Sequence, residues 1–205
     1  SLHDALPICE VKINPRSFVS EKKCDMKSKR FLMATRFVYA KGLDLMMESF
    51  EEFCKEDSEW ELDIIGDGDL FDQIRADAKK RHLEKRVHFV GYTNEPEKYY
   101  LNSSVFLLPS RWEGWPMVIM EAFEFGLPVI AYHMGAMDLI IDDQKTGFLP
   151  EAFDTHKFTE AMLKLAHDDE LRHQMHRNAI EKSADFNIDK AVVAWNDLFN
   201  LLMKE

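Results

Sequence analysis

The sequence predicts an α/β protein, a doubly wound parallel sheet of the Rossmann type with helices at its C-terminal end. Three observations predict this fold. Short apolar runs alternate with longer helical patterns from residue 31 to about residue 150. The short runs are apolar almost throughout, as strands covered on both faces should be. After residue 149 the alternation stops, and only helical patterns follow.

Six of the apolar runs have the length and composition of buried strands. They are residues 31–35, 61–65, 87–90, 104–108, 129–132 and 147–149. Between the first two, apolar residues recur at helical spacing, and we interpret this Met-rich stripe as core rather than as a cofactor-binding face. The stripe consists of Leu43, Met46, Met47, Phe50, Phe53 and Cys54.

Further helical patterns complete the series. A second helix is marked by Leu70, Ile74 and Ala78, and a third is predicted over residues 117–125. Three more helices are predicted near the C-terminus, and we expect them to cover one side of the sheet. They span residues 155–166, 170–184 and 189–204.

Composition and charge exclude several classes of protein. The 205 residues are 46% hydrophobic, which is enough for a sizeable core and excludes a disordered chain. With 26 basic and 37 acidic residues the formal charge is −11, so no overall positive field attracts nucleic acid or anionic lipid. An anionic ligand therefore needs a local basic site. No apolar run approaches the roughly 20 residues that a membrane span requires.

The cysteines point to a reducing compartment. Cys9, Cys24 and Cys54 are odd in number and have no C-x-x-C spacing, which speaks against a disulfide framework or a zinc site. A cytoplasmic location is therefore expected.

The start of the chain does not fit the fold pattern. Residues 1–8 resemble one reading frame of a common sequencing adapter, so we interpret them as a non-native leader; the alternative is an ordinary flexible N-terminus. Residues 9–30 contain Asn14-Pro15 and a Lys-rich polar stretch, which indicates an interdomain linker. The domain itself is expected to span residues 31–205.

Two cations mark the end of the first predicted strand. Arg36 directly follows that strand, and Lys41 lies at the entry to the next helix. Ligands of open parallel sheets bind at the carboxyl ends of the strands. Guanidinium and ammonium groups form charge-assisted hydrogen bonds to phosphate oxygens, so this pair suits a phosphate ligand. Solvated surface residues are the alternative interpretation.

A glycine turn follows the second predicted strand. Gly66 and Gly68 can take positive φ and let a ligand approach the backbone. The overlapping Asp67-Gly68-Asp69 has the form of a metal-binding D-x-D. We prefer the interpretation that its carboxylates cap the helix beginning near Leu70, because the helix dipole favours negative charge there.

The fourth predicted strand leads into a loop that ends in a helix start. Pro116 suits the first helical turn, where a missing N–H has no cost. The backbone amides of residues 114–118 would then form an anion site. Glu113 and Glu121 flank this helix start, and we expect both carboxylates to face one cleft and to accept hydroxyls of a ribose or another sugar.

Taken in order, these residues resemble the C-terminal, donor-binding domain of the family 4 (group 1) retaining glycosyltransferases, which have the GT-B fold. The resemblance runs from about Ile13 to the end of the chain. Its motifs are Arg36-x4-Lys41-Gly42, Gly66-x-Gly68, Val90-Gly91, Pro109-Ser110-x-x-Glu113-Gly114, Glu113-x7-Glu121-Ala122, Gly126-x-Pro128-Val129-Ile130-Ala131 and Thr146-Gly147-Phe148-Leu149.

The resemblance implies a role for each motif residue. Arg36 and Lys41 would bind the diphosphate of a sugar nucleotide, Glu121 the ribose diol and Glu113 the hydroxyls of the donor sugar. The backbone near Tyr92 would recognise the base. The remaining implied donor contacts are Gly66, Gly68, Ser110, Gly114, Trp115, Pro116, Met117 and Val118. Preorganised cations and amides can stabilise a leaving diphosphate without a metal, so no metal or other cofactor is expected.

The resemblance also implies substrates and partners. It points to bacterial capsule, exopolysaccharide or lipopolysaccharide synthesis, with a UDP-sugar donor, a saccharide or polyprenyl-linked acceptor and peripheral contact with the inner membrane. On this resemblance we expect the chain to lack the N-terminal GT-B domain, which usually carries the acceptor site, and therefore to bind nucleotide weakly and turn over slowly or not at all. Where many relatives carry Glu in a glycine-rich turn, this chain has Asp138, to which we assign no contact.

Two alternatives stay open at the level of sequence. One is a sugar-nucleotide 2-epimerase of the GT-B fold, and the other is a non-catalytic flavodoxin-like binding module. Arg36 stands where the latter would need an acidic cluster. His133 is interpreted as structural, as an isolated histidine after a strand usually is. The pair His173-x-x-His176 lies on a polar helix face without a third ligand nearby in sequence, which argues against a metal site.

Overall fold

The computed structural model describes residues 23–186 and, further on, positions 192, 193, 196, 199, 200 and 203. The proposed leader 1–8, Cys9, Asn14-Pro15 and most of the predicted helix 189–204 lie outside the described residues.

A six-stranded, wholly parallel sheet forms the centre of the molecule. Its strands are β1 (Arg30–Ala34), β2 (Glu61–Ile65), β3 (Val87–Gly91), β4 (Val105–Leu108), β5 (Val129–Ala131) and β6 (Gly147–Phe148). All six predicted strands are present, with ends that differ by at most one residue. Their spatial order is β3-β2-β1-β4-β5-β6, so the direction of winding reverses between β1 and β4. This is the Rossmann order, and it rules out the flavodoxin-like alternative, in which β1 and β3 are neighbours.

Helices follow the strands as the alternation predicts. They are α1 (Leu43–Glu56), α2 (Phe71–Lys80), α3 (Glu97–Leu101), α4 (Met117–Glu124), α5 (Met137–Ile140), α6 (Thr155–His167) and α7 (Asp169–Ser183). The sequence analysis missed α3 and α5, because helices of five and four residues are too short to show a helical period.

Two apolar clusters cover the two faces of the sheet. The stripe of α1 packs with α2 and α6 on one face, which confirms that its methionines and phenylalanines are core. The helices α3, α4 and α5 cover the other face. The expectation that the C-terminal helices share one side is wrong, because α6 packs against α1 whereas α7 packs against α4. The path of α7 explains this, since Met175 belongs to the first cluster and Ala179 to the second.

The segment before β1 packs against the domain. Cys24 and Met26 are buried in the second cluster, and the Cys24 amide donates to the carbonyl of Phe125 at 2.9 Å. The hydroxyl of Ser104 donates to the carbonyl of Asp25 at 2.9 Å. Residues 23–30 are therefore part of the compact structure, although the sequence pattern assigned them to a linker.

Candidate functional site

The loops after β1 and β4 flank the point where the strand order reverses. In an open α/β sheet, the crevice outside this point is where ligands bind, because the two loops leave in opposite directions. Residues 35–42 form the first loop and residues 109–116 the second. The sequence-predicted residues Arg36, Lys41 and Glu113 all lie on these two loops.

The two loops contact each other backbone to backbone. Gly42 has φ +63°, and a Cβ at this position would lie 1.9 Å from the carbonyl oxygen of Pro109. Next to this contact, the amide of Arg111 donates to the carbonyl of Ala40 at 2.7 Å. Only glycine allows so close an approach, so Gly42 holds the first loop against the second.

Lys41 and Glu113, 72 positions apart in the chain, form an ion pair. The Lys41 Nζ donates to Glu113 Oε1 at 2.7 Å, and the hydroxyl of Ser110 donates to the same oxygen at 2.7 Å. The Glu113 side chain is only 9% exposed and that of Lys41 23%. The structure thus joins a predicted phosphate ligand to a predicted sugar ligand.

Arg36 lies at the start of the first loop and is exposed. Within the described part of the chain its guanidinium forms no ion pair and no hydrogen bond. It is therefore available to an anion that enters the crevice.

Arg111 is a site residue that the sequence analysis missed. Its guanidinium donates through both terminal nitrogens to Asp44, at 2.7 and 2.6 Å, and lies 4.0 Å from the centre of the Tyr39 ring. The hydrogen bond from Arg111 holds the pKa of Asp44 below its usual value. The signal that could have found it is a third cation next to Ser110, in the loop that already carried the predicted site.

The start of α4 differs in detail from the prediction. Pro116 is the residue before the helix, which begins at Met117. The five residues predicted to bind an anion carry only four amides, because Pro116 has none, and the amide of Met117 donates to the Trp115 carbonyl at 3.0 Å. The amides of Gly114, Trp115 and Val118 donate to no acceptor within the described residues, so three amides remain for a ligand.

Glu121 occupies a different environment from Glu113. It lies on the second turn of α4, is 6% exposed, and accepts a hydrogen bond of 3.0 Å from the Tyr100 hydroxyl. A small cavity lined by Pro96, Tyr100 and Phe125 adjoins its side chain. Oε2 of Glu121 thus faces Tyr100 of α3, and a cleft shared with Glu113 stays a prediction.

The glycine turn after β2 packs against the first loop. Gly66 has φ +126°, and a Cβ here would lie 1.8 Å from the carbonyl oxygen of Thr35. Likewise, Gly68 faces the backbone of Phe37. This packing explains the glycines without a ligand, and their donor-binding role stays a prediction.

The interpretation of the D-x-D as a helix cap is wrong. The carboxylate of Asp67 accepts from the amide of Gly68 at 2.8 Å, and α2 has no side-chain cap. Among the described residues, no cluster of His, Cys, Asp and Glu has the arrangement of a metal site.

Three other residues that the sequence singled out are placed as follows. Tyr92 lies in the loop after β3 and is 77% exposed. His133 is also exposed. His176 Nδ1 lies 2.7 Å from the carbonyl oxygen of Gly126, and burial lowers the pKa of this half-buried imidazole. The contact with a helix-terminal carbonyl gives His176 a structural role.

Fold and site together define a Rossmann-like α/β protein with a loop-built crevice at the switch point of its sheet. Residues 16–182 match the family model described as glycosyl transferases group 1, and the chain belongs to this family.

Relatives and solved structures agree with this assignment. A glycosyltransferase of Haemophilus influenzae is 28% identical over 187 residues, which cover 90% of this chain and 53% of the relative. The amylovoran biosynthesis glycosyltransferase AmsD of Erwinia amylovora is 31% identical over 176 residues, 85% of this chain and 49% of the relative. The chain thus spans about half the length of these relatives.

Two solved structures illustrate the fold. A mutant of S. aureus TarM, crystallised with fondaparinux, alpha-GlcNAc-glycerol and UDP, has a TM-score of 0.80 at 27% identity, over 88% of this chain and 36% of TarM. The C-terminal domain of the group 1 protein LpcC from Francisella tularensis has a TM-score of 0.70 at 23% identity, over 77% of this chain and 85% of that domain. The second likeness concerns the fold alone. No helix in the described part of this chain has the length and apolar composition of a membrane span.

Proposed function

We propose that this chain is the donor-binding half of a retaining glycosyltransferase, which transfers a sugar from a UDP-sugar to a saccharide or polyprenyl-linked acceptor. The observation that carries the proposal is the Lys41–Glu113 contact of 2.7 Å at the switch point of the sheet. An ammonium group, a carboxylate and the exposed guanidinium of Arg36 thus lie on two adjoining loops. This is the combination that a sugar diphosphate requires.

Lys41 and Arg36 supply charged hydrogen-bond donors for the two phosphates of the donor. An ammonium group has three donors, so Lys41 can keep its bond to Glu113 and still donate to a phosphate oxygen. Arg36 offers a planar fork that matches two phosphate oxygens. The amides of Gly114, Trp115 and Val118, which have no acceptor within residues 23–186, add neutral donors and the positive end of the helix dipole at the start of α4.

The same groups explain catalysis of the transfer. When the bond between the sugar and the diphosphate breaks, negative charge develops on the leaving diphosphate. Fixed cations and amides stabilise that charge more in the transition state than in the bound substrate, and this difference lowers the barrier. We propose that no metal is needed, because these groups supply the positive charge that a metal would otherwise provide.

Glu113 and Glu121 are assigned to hydroxyl groups. The buried Glu113 is held by Lys41 and Ser110, so it presents its remaining acceptor sites to donor-sugar hydroxyls in a fixed orientation. Glu121 is assigned to the ribose diol, because its carboxylate keeps further acceptor sites beside the one that the Tyr100 hydroxyl occupies.

The relatives support the choice of donor and acceptor. TarM was crystallised with UDP. The E. coli relative, 33% identical over 138 residues, is a UDP-Gal-dependent galactosyltransferase acting on a diphosphoundecaprenol-linked GlcNAc. We infer a cytoplasmic reaction, at the inner face of the membrane when the acceptor is polyprenyl-linked.

Calorimetric titration with UDP, GDP and ADP, with and without magnesium, tests the proposal. We expect UDP to bind best, without need of magnesium. The double variant Arg36→Ala with Lys41→Ala should lose about tenfold or more in UDP affinity, as expected when charge-assisted hydrogen bonds are removed.

The matched control removes two exposed cations from α2, Arg75→Ala with Lys79→Ala, and changes the net charge equally. Equal affinity of both double variants for UDP would contradict the proposed site. Strict dependence on magnesium would favour the D-x-D interpretation instead.

A further inference from the structure

We propose that Arg111 is a positioning residue which, together with Asp44, holds the turn Tyr39–Lys41 in the geometry that Lys41 needs. The inference rests on the proposed function, in which Lys41 is a phosphate ligand. It concerns a residue that none of the sequence motifs above includes by type.

The contacts of Arg111 enclose this turn. Its amide donates to the Ala40 carbonyl at 2.7 Å, and one terminal guanidinium nitrogen donates to the Tyr39 carbonyl at 3.1 Å. Both terminal nitrogens bind Asp44, in the first turn of α1. One residue therefore contacts the segment just before Lys41 and the helix just after it.

The Lys41–Glu113 ion pair and the contact of Gly42 with Pro109 also hold this turn, but both act at its C-terminal end. Tyr39–Lys41 is a single 3-10 turn with no buried residue, and Tyr39 is 61% exposed. Its closing hydrogen bond, from the amide of Gly42 to the carbonyl of Tyr39, is long at 3.3 Å. A turn without apolar burial depends on polar contacts for its order. The Arg111 side chain, by contrast, is only 12% exposed, although its partner Asp44 is 53% exposed.

The planar fork of arginine suits this role better than lysine. Two parallel hydrogen bonds to Asp44 fix the plane of the guanidinium, and its face then lies over the Tyr39 ring at 4.0 Å. A lysine would keep the charge but could not bind the carboxylate with two nitrogens. We therefore expect Arg111→Lys, like Arg111→Ala, to lose the order of the turn and with it affinity for UDP.

Two measurements test the proposal. Hydrogen–deuterium exchange reports on the order of residues 38–45 in the absence of nucleotide, and calorimetry reports on UDP binding. Arg111→Ala and Arg111→Lys should both speed exchange in this segment. Arg111→Ala should also weaken UDP binding about tenfold in the wild-type background and much less in a Lys41→Ala background, the coupling expected when one residue acts through another.

Arg81→Ala is the matched control. Arg81 directly follows α2 and also bonds two carboxylates, Asp77 of α2 and Glu51 near the middle of α1. The Arg81→Ala variant should leave both the hydrogen exchange of residues 38–45 and the UDP affinity unchanged.

The outcomes separate this inference from the proposed function. Unchanged exchange in Arg111→Ala overturns the positioning role, and so does faster exchange with unchanged UDP affinity. If Arg111→Lys keeps the slow exchange and the UDP affinity of the wild type, the two-nitrogen bond to Asp44 is not what orders the turn. If the wild-type chain binds no nucleotide, the proposed function fails, while the exchange data still decide whether Arg111 orders the turn.

Discussion

Lys41 and Glu113 show how an ion pair at a strand end differs from one on an open surface. Exposed pairs contribute about 0–1 kcal/mol, because water screens them and long side chains lose entropy. Here the carboxylate is 9% exposed and has a second donor in Ser110, so its orientation is largely fixed before a ligand arrives. This preorganisation matters for binding more than for stability.

Asp57 is a residue whose charge matters for stability. Its Oδ1 accepts from the amides of Glu59 and Trp60, both at 2.8 Å, and its Oδ2 contacts His167 at 3.2 Å. Burial alone would raise the pKa of Asp57, but hydrogen bonds from these two amides and from His167, together with Arg86, outweigh burial and lower it.

Asp57→Asn should therefore lower the free energy of unfolding by about 2 kcal/mol at pH 7, the cost of a buried group left poorly paired. Because the folded pKa is lowered, the stabilisation is present above the unfolded pKa of about 3.9 and is lost as the pH falls through the folded value. Urea unfolding at pH 7 and pH 3 measures the free energy of unfolding of both proteins. The difference in this free energy between variant and wild type should be smaller at pH 3.

The control is Asp69→Asn. Its carboxylate is exposed and forms no hydrogen bond or ion pair with the described residues. If Asp57→Asn lowers the free energy of unfolding equally at both pH values, the charge of Asp57 is not what stabilises the fold.

At the scale of elements, the loops determine where the strand ends meet. The loop after β1 packs on the loop after β2 through Gly66, and on the loop after β4 through Gly42. Strands alone would align these loops only roughly. The two glycine contacts bring the backbones together, so Lys41 reaches Glu113.

Gly42→Ala should lower the free energy of unfolding by about 2 kcal/mol or more, because a Cβ would overlap the Pro109 carbonyl and φ is positive. It should also weaken UDP binding, since the loops must separate. Gly114→Ala is the control for stability, because a Cβ there meets nothing within 4 Å, and we expect a change within about 0.5 kcal/mol. Thermal and urea unfolding compare the two, and equal losses would contradict the packing argument.

At the scale of the whole molecule, the crevice is bounded by loops from one sheet edge. A sugar nucleotide bound there keeps much of its surface in water, where electrostatic contacts are weaker. The matched part of this chain covers only 53% and 49% of the lengths of two relatives.

We therefore expect the 205-residue chain to bind UDP weakly and to transfer sugar slowly or not at all. Release of UDP from a panel of UDP-sugars, with saccharide and polyprenyl-linked acceptors, measures this. Transfer at an ordinary enzymatic rate, about 1 s⁻¹ or faster, would contradict the expectation. A full-length relative assayed in parallel shows that the conditions support transfer.

Much of the fold followed from local patterns. Strands buried on both faces appear as apolar runs, and the helical stripe from Leu43 to Phe53 faces one side only, so both are visible in the sequence. Shorter elements were not, as α3 and α5 show. The placement of α7 on the opposite face from α6 also escaped prediction, because it depends on where the chain crosses the sheet.

The candidate site was predictable by position but not by contact. Arg36, Lys41 and Glu113 were recognisable because each follows a strand, and parallel strands end at one edge. Arg111 and Asp44 were not, since an arginine and an aspartate at such separation have no sequence pattern.

The sequence by itself determined the α/β class, the six strands and the family, because these depend on periodicity and on motifs local to the chain. Only the tertiary structure decided which loops adjoin, that Lys41 pairs with Glu113, and that Glu121 turns to Tyr100. Such contacts join residues far apart in the chain, and they arise from the order of the strands and the close approach of backbones, neither of which a local pattern records.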